Sequence, residues 1–94
     1  MSSAKTTTSH AAIRNWVEKR GGHPAVVEST RGKGGGGVLR IDFDDPDRDT
    51  DERLERIGWD EFFRIFDRNN LAFLHDEGGS SRFNRFVEKE SAHS

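Results

Sequence analysis

The chain has 94 residues, of which 31% are hydrophobic and 34% are charged, with a net charge of −2 and no cysteine. This length allows one small domain, which cannot give up much of its core to a large enclosed active site. The lack of cysteine excludes disulfide and thiolate chemistry. Together with the lack of a signal peptide or an apolar run long enough to cross a membrane, it predicts a cytoplasmic protein.

The charges are distributed unevenly along the chain. Residues 1–40 carry seven Lys/Arg against two Glu, whereas residues 41–61 carry ten Asp/Glu against three Arg. This asymmetry indicates either a basic binding face or two oppositely charged segments that lie together in the fold. We favour the second interpretation, because solvated charge blocks are common in small domains.

The N-terminal part predicts a disordered tail followed by a helix. Residues 1–8 are rich in Ser and Thr and have no apolar periodicity, which is typical of disorder. Ser9 is a suitable N-cap for a helix that ends near Arg20, where two glycines stop it. The apolar side chains of this helix have i, i+3, i+4 spacing and belong to Ile13, Trp16 and Val17.

Two predicted strands follow, at residues 25–30 and 38–43. Because residues 31–37 contain five glycines, we expect an antiparallel hairpin with a mobile tip. Leu54 and Ile57 indicate either a short third strand or an apolar anchor before the next helix.

The second half of the chain contains the strongest signal, since five of the nine aromatic residues lie between residues 57 and 75. Gly58 is the predicted N-cap of an amphipathic helix that Asn69 and Asn70 end. Residues 71–75 predict a buried strand. Residues 82–88 predict a short terminal helix, with a last strand as the alternative, and residues 89–94 predict a disordered tail.

These elements predict a single α+β domain over residues 9–88, in the order helix, β-hairpin, helix, strand and short helix. We expect the helices to pack on one face of a small, mostly antiparallel sheet. The predicted core residues are Ile13, Trp16, Val17, Leu39, Ile41, Phe43, Ile57, Trp59, Phe62, Phe63, Phe66, Leu71, Phe73 and Phe86.

No segment carries a complete catalytic or metal-binding pattern. The glycine-rich loop departs from a phosphate-binding loop, because Lys33 is followed by glycines and then by a strand. The acidic loop at residues 44–52 departs from a calcium loop, because Thr50 and Arg56 occupy the glycine and glutamate positions. His75 is expected to be half-buried, neutral and hydrogen-bonded. We therefore predict no catalytic, cofactor-binding or metal-binding residue.

The two tryptophans have two interpretations. Trp16 and Trp59 are able to stack on sugars or bases, but both lie on the apolar stripe of a helix, which favours core packing. An indole lying open in a cleft beside ionisable groups would contradict this interpretation.

Several motifs together resemble a group of small bacterial proteins of about this length, some of which carry the label 1,4-alpha-glucan branching enzyme. These are Ile-Arg-x-Trp-Val-Glu-x-Arg-Gly-Gly-x-Pro at 13–24, Leu-Arg-Ile-Asp-Phe at 39–43, Trp-Asp-Glu-Phe-Phe-x-x-Phe at 59–66, Asn-Leu-Ala-Phe-Leu at 70–74 and Ser-Arg-Phe-Asn at 81–84. The resemblance implies a small α+β fold in a bacterial cytoplasm and assigns no catalytic residue.

The sequence leaves three functions open. We favour a non-catalytic module that binds a protein partner, because sheet edges and an excess of aromatic residues suit such binding. The alternative is a nucleic-acid-binding domain, and carbohydrate binding or glucan modification ranks lowest. The candidate polyanion-binding residues for the alternative are Arg14, Lys19, Arg20, Arg31, Lys33 and Arg40.

Overall fold

The computed structural model describes residues 4–43, 53–79 and 81–89. The acidic loop and the C-terminal tail beyond residue 89 lie outside the described residues. Eight helices and strands make up the described part. In chain order they are β1 (Ala4–Thr7), α1 (His10–Lys19), β2 (His23–Val27), β3 (Leu39–Asp42), β4 (Leu54–Arg56), α2 (Trp59–Arg68), β5 (Leu71–Asp76) and β6 (Asn84–Glu88).

The strands form two antiparallel sheets of three strands each, with the orders β1-β5-β6 and β3-β2-β4. The α+β class and the hairpin of β2 and β3 are confirmed. The prediction of one sheet is wrong. Strand β2 pairs with β3 on one side and β4 on the other, whereas β5 pairs with β1 and β6, so no strand pair joins the two sets.

Two strands occupy segments for which other structures are predicted. Ala4–Thr7 pairs with β5, so the predicted disordered tail is wrong for these residues. Asn84–Glu88 is a strand and not the predicted helix, which confirms the alternative. Both segments are strands because each pairs with one edge of β5. Strand β5 itself is anchored in the core by buried residues such as Ala72 and Phe73. Across the β5–β6 pair, Phe86 lies opposite Phe73.

The two helices begin and end where the sequence predicts. Ser9 caps α1 by accepting a hydrogen bond from the Ala12 backbone N–H. Gly21 follows the C-cap with φ +70°, the left-handed conformation in which glycine has no steric penalty. Gly58 is the N-cap of α2, and Asn70 follows its C-cap with φ +55°.

One hydrophobic core joins both sheets and both helices. Eight of the fourteen predicted core residues are buried in it. The other six are partly buried and packed against it: Phe43, Ile57, Trp59, Phe63, Leu71 and Phe86. Two further residues, Val26 and Ile65, are also buried in this core. Ile65 is covered because the glycine-rich loop folds back onto α2, where Gly36 approaches its side chain closely.

The glycine-rich loop is packed against α2, which corrects the prediction of a mobile tip. The Asn69 side-chain amide donates hydrogen bonds to the Gly35 carbonyl at 3.1 Å and to the Ile65 carbonyl at 2.8 Å. Gly35, Gly36 and Gly37 all have positive φ, and these conformations return the chain toward the helix. Within the described part, neither helix is long and apolar enough to cross a membrane.

Candidate binding cleft

A cleft of the described structure lies between β1, α1 and the C-terminal end of β5. Its volume is about 610 Å³, and it is open to solvent on one side. The residues that line it come from three separate parts of the chain. They are Lys5, Thr6, Thr7, Ala12, Asn15, Trp16, Lys19, Arg20, His75, Glu77 and Gly79.

The α1 wall of the cleft follows from helical periodicity. Ala12, Asn15, Trp16 and Lys19 are three or four residues apart, so they share one face of the helix. The other wall is β1, in which Lys5 lies directly opposite His75 across the antiparallel pair. Among the described residues, β1 pairs with β5 alone, so its second edge is unpaired.

Two aromatic rings form the floor of the cleft. The Trp16 side chain is only 7% exposed, and its indole N–H donates a hydrogen bond to the Asp76 carbonyl at 2.8 Å. The Trp16 and His75 ring centroids are 5.5 Å apart, and the His75 ring stacks on Phe73. The indole therefore lies beside ionisable groups, but it is a buried, hydrogen-bonded floor and not an open platform.

His75 has an unusual environment for a buried polar side chain. It is 8% exposed, and its buried Nδ1 has no hydrogen-bond partner among the described residues. The predicted hydrogen-bonded histidine is thus corrected: the burial is greater than expected, and this nitrogen is unpaired. A buried polar atom without a partner costs about 1–3 kcal/mol, so its retention calls for a reason.

Arg20 is held rigidly at the inner end of the cleft. Its guanidinium donates hydrogen bonds to the carbonyls of Ser81 at 2.6 Å, Gly78 at 2.8 Å and Trp16 at 3.1 Å. Its Cζ lies 4.2 Å from the centroid of the Trp16 ring. All three acceptors are uncharged backbone carbonyls.

The cleft carries an excess of positive charge. Three cations line it, on Lys5, Lys19 and Arg20, against the single carboxylate of Glu77. Lys5 lies 3.9 Å from Glu77 in an exposed pair that contributes little to stability. The Lys19 ammonium has no ion pair with a described residue. Counting only the lysine, arginine and glutamate side chains, the formal balance is three positive charges less one negative, or +2.

The six candidate polyanion-binding residues do not share one surface. Lys19 and Arg20 line the cleft, whereas Arg14 pairs with Glu18 on α1 at 3.2 Å. Arg31 contacts Glu61 at 2.9 Å and Glu55 at 3.4 Å. The Arg40 guanidinium donates to the carbonyl of Leu39, and Lys33 lies in the glycine-rich loop.

A second groove of about 190 Å³ lies where the glycine-rich loop meets α2. It contains Arg31, Arg64 and Arg68 together with Glu61. The formal charge of its lining is also +2, but Arg31 is paired with two glutamates and the groove has less than a third of the volume of the main cleft.

The sequence did not reveal Lys5 or His75 as members of the cleft. The sequence signal that could have indicated β1 is the run Lys-Thr-Thr-Thr at 5–8, because β-branched threonine favours strands. Across the described ranges, no three His, Cys, Asp or Glu side chains are grouped in a way that suits a metal ion. The cleft therefore offers cations, hydroxyls and an imidazole for binding an anion.

No family model, curated protein or solved structure matches the chain. The resemblance to small bacterial proteins therefore stays a prediction, and function has to be argued from the geometry.

Proposed function

We propose that this protein is a non-catalytic interaction module that binds an acidic, extended segment of a partner protein in the cleft between β1 and α1. The observation that carries the proposal is an open cleft with three cations and one carboxylate, beside an unpaired strand edge. Such binding needs no cofactor. The cysteine-free composition supports a cytoplasmic setting.

The charges of the cleft support an acidic partner segment. Lys5 is exposed, with a side-chain exposure of 66%, and Lys19 is exposed on α1, so both are able to steer an approaching anionic chain. Arg20 is already ordered by three hydrogen bonds, so little of its side-chain entropy is lost on binding. An acidic segment would therefore find one preorganised and two mobile cations.

The strand edge supports an extended partner conformation. An unpaired edge presents free backbone N–H and C=O groups, to which a peptide strand adds by main-chain hydrogen bonds. Alternate side chains of such a strand point to the same face, so acidic residues at every second position would face the cleft.

The proposal is tested by titrating ¹⁵N-labelled protein with an acetylated peptide of alternating Glu and Thr. Peptides of alternating Gln and Thr, and of alternating Lys and Thr, serve as controls. We expect the Glu peptide alone to shift the amides of Lys5, Thr6 and Lys19 and the indole N–H of Trp16. Lys19→Glu should weaken its binding roughly fivefold, because the attraction becomes a repulsion.

Lys33→Glu is the matched control, since it reverses the same charge outside the cleft and should leave the affinity unchanged. If both variants weakened peptide binding equally, the loss would come from the net charge of the protein and would contradict a local site. A DNA or RNA oligonucleotide that binds the same amides more tightly, with a steep salt dependence, would replace the proposal by the nucleic-acid alternative.

A further inference from the structure

We propose that the cleft recognises a phosphorylated side chain within the partner segment, so that the module reads phosphoserine or phosphothreonine. This inference rests on the proposed function and names the group that the cleft selects. It is carried by the charge balance of the cleft, by the state of Arg20 and by the unpaired nitrogen of His75.

The charge of the cleft matches a phosphoryl group better than a carboxylate. The three cations and one carboxylate leave a balance of +2. A phosphoserine or phosphothreonine carries about −1.5 to −2 at neutral pH, whereas a glutamate carries a single negative charge. One glutamate side chain would therefore compensate only part of this charge, whereas one phosphorylated side chain compensates most or all of it.

Arg20 retains donors for an oxyanion. A guanidinium has five N–H groups in a planar fork. Three hydrogen bonds to described carbonyls are present, one each from Nε, Nη1 and Nη2. Two N–H groups, one on each terminal nitrogen, therefore remain without a described acceptor. A guanidinium is able to bind phosphoryl oxygens in a bidentate manner through two N–H groups, and Arg20 has two left for this purpose.

His75 supplies the second, independent observation. Its side chain lines the cleft, is more than nine-tenths buried and leaves Nδ1 without a partner. We assign this nitrogen to the ligand: when a phosphoryl group occupies the cleft, the imidazole reorients and donates one N–H to a phosphoryl oxygen. Binding would then remove the cost of an unpaired buried polar atom.

The walls of the cleft add further donors. The hydroxyl groups of Thr6 and Thr7 and the side-chain amide of Asn15 line the same space as the cations. A phosphoryl group presents three strong acceptor oxygens in a tetrahedral arrangement, whereas a carboxylate presents two in one plane. Donors on both walls and on the floor suit the tetrahedral group.

The test compares three acetylated peptides of alternating Thr and Ala whose central residue is phosphoserine, serine or glutamate. Dissociation constants come from amide shifts of the full-length protein, and the histidine ring nitrogens are followed in the same samples. We expect the phosphopeptide to bind at least about tenfold tighter than the glutamate peptide, the effect of one additional charge-assisted hydrogen bond. The ring nitrogens of His75 should shift, while those of His10 and His23 should not.

Lys19→Gln should remove most of this preference, and Lys33→Gln should retain it. Lys19 is exposed, so its substitution does not threaten folding. Arg20→Lys, whose folding is verified by circular dichroism, should also reduce the preference because a lysine lacks the fork.

The failures of the two proposals give different results. Equal affinity for the phosphoserine and glutamate peptides would overturn the phosphoryl inference and leave the acidic-segment proposal intact. If neither these peptides nor the Glu–Thr peptide bound, both proposals would fail. Inorganic phosphate that bound the cleft as tightly as the phosphopeptide would also overturn the inference, because the ligand would then be a free phosphate.

Discussion

Gly22 follows α1 in the chain and packs in space against strand β3, where there is no room for a side chain. A Cβ at this position would lie 2.8 Å from Ile41 Cγ2 and 2.9 Å from both Phe43 Cε1 and Val17 Cγ1. We expect Gly22→Ala to lower the free energy of unfolding by about 1–3 kcal/mol, the usual cost of overpacking. Urea denaturation measures this change.

Gly34→Ala is the control, because a Cβ there would meet nothing within 4 Å and φ is not in the left-handed region. Its stability should stay close to that of the native chain. An unchanged stability for Gly22→Ala would show that the helix end and β3 are able to separate without cost.

Trp59 joins the two helices although it is only partly buried. Its ring contacts Phe62 and Phe63 at centroid distances of 5.1 and 5.3 Å, and its indole N–H lies 3.3 Å from Glu18 Oε2. We expect Trp59→Ala to cost about 2–3 kcal/mol, less than the 3–5 kcal/mol of a fully buried aromatic residue. Trp59→Phe should keep most of the stability, because it retains the ring contacts. Equal losses in thermal or urea unfolding for both variants would assign the contribution to the hydrogen bond instead.

At the scale of elements, removal of β1 measures how much an exposed edge strand contributes to the free energy of unfolding. Four residue pairs connect it to β5, and three of its four residues are exposed. Cross-strand pairs contribute about 0.2–1 kcal/mol each, so removal of residues 1–7 should lower the free energy of unfolding by about 1–4 kcal/mol. Removal of residues 1–3 alone is the control. Full stability after the longer truncation would show that β1 contributes no net stabilisation.

The same truncation should change the association behaviour of the protein. Loss of β1 exposes an edge of β5, a strand with three buried residues, and such an edge is a template for pairing with another chain. We expect the truncated protein to self-associate in size-exclusion chromatography with light scattering at concentrations where the control is unchanged.

The helices were predictable from the sequence, whereas the two outer strands were not. Apolar side chains at helical spacing and the terminal residues Ser9, Gly21 and Asn70 are local signals that set where each helix begins and ends. In contrast, β1 is mostly exposed and carries little apolar alternation, so its conformation depends on pairing with a strand about 70 residues away. The same dependence on β5 determines β6.

At the scale of the whole molecule, the cleft could be predicted only in part. Lys19 and Arg20 were candidates because they belong to the basic N-terminal part of the chain. Their proximity to His75 and Glu77 results from the position of β5 beside β1, which no local pattern contains. The unpaired Nδ1 is a property of the packed environment and has no counterpart in the sequence.

The shared core determines how the protein unfolds. Val26 and Leu39 of one sheet and Phe73 of the other belong to the same buried cluster, together with side chains from both helices. Because α2 packs against both sheets, separation of either sheet would expose apolar side chains of this shared core. We therefore expect one cooperative transition, as small domains with a single core usually show.

Trp16→Phe and Trp59→Phe make this expectation measurable, because each leaves one indole as the fluorescent reporter. Within each variant, the urea midpoints from fluorescence and from far-ultraviolet circular dichroism should coincide. Amide exchange should give similar opening free energies for Val26 in β2 and Phe73 in β5, since both open only when the common core is lost. Two separate midpoints, or a large difference between these amides, would show that each sheet forms a folding unit of its own and that α2 does not couple them.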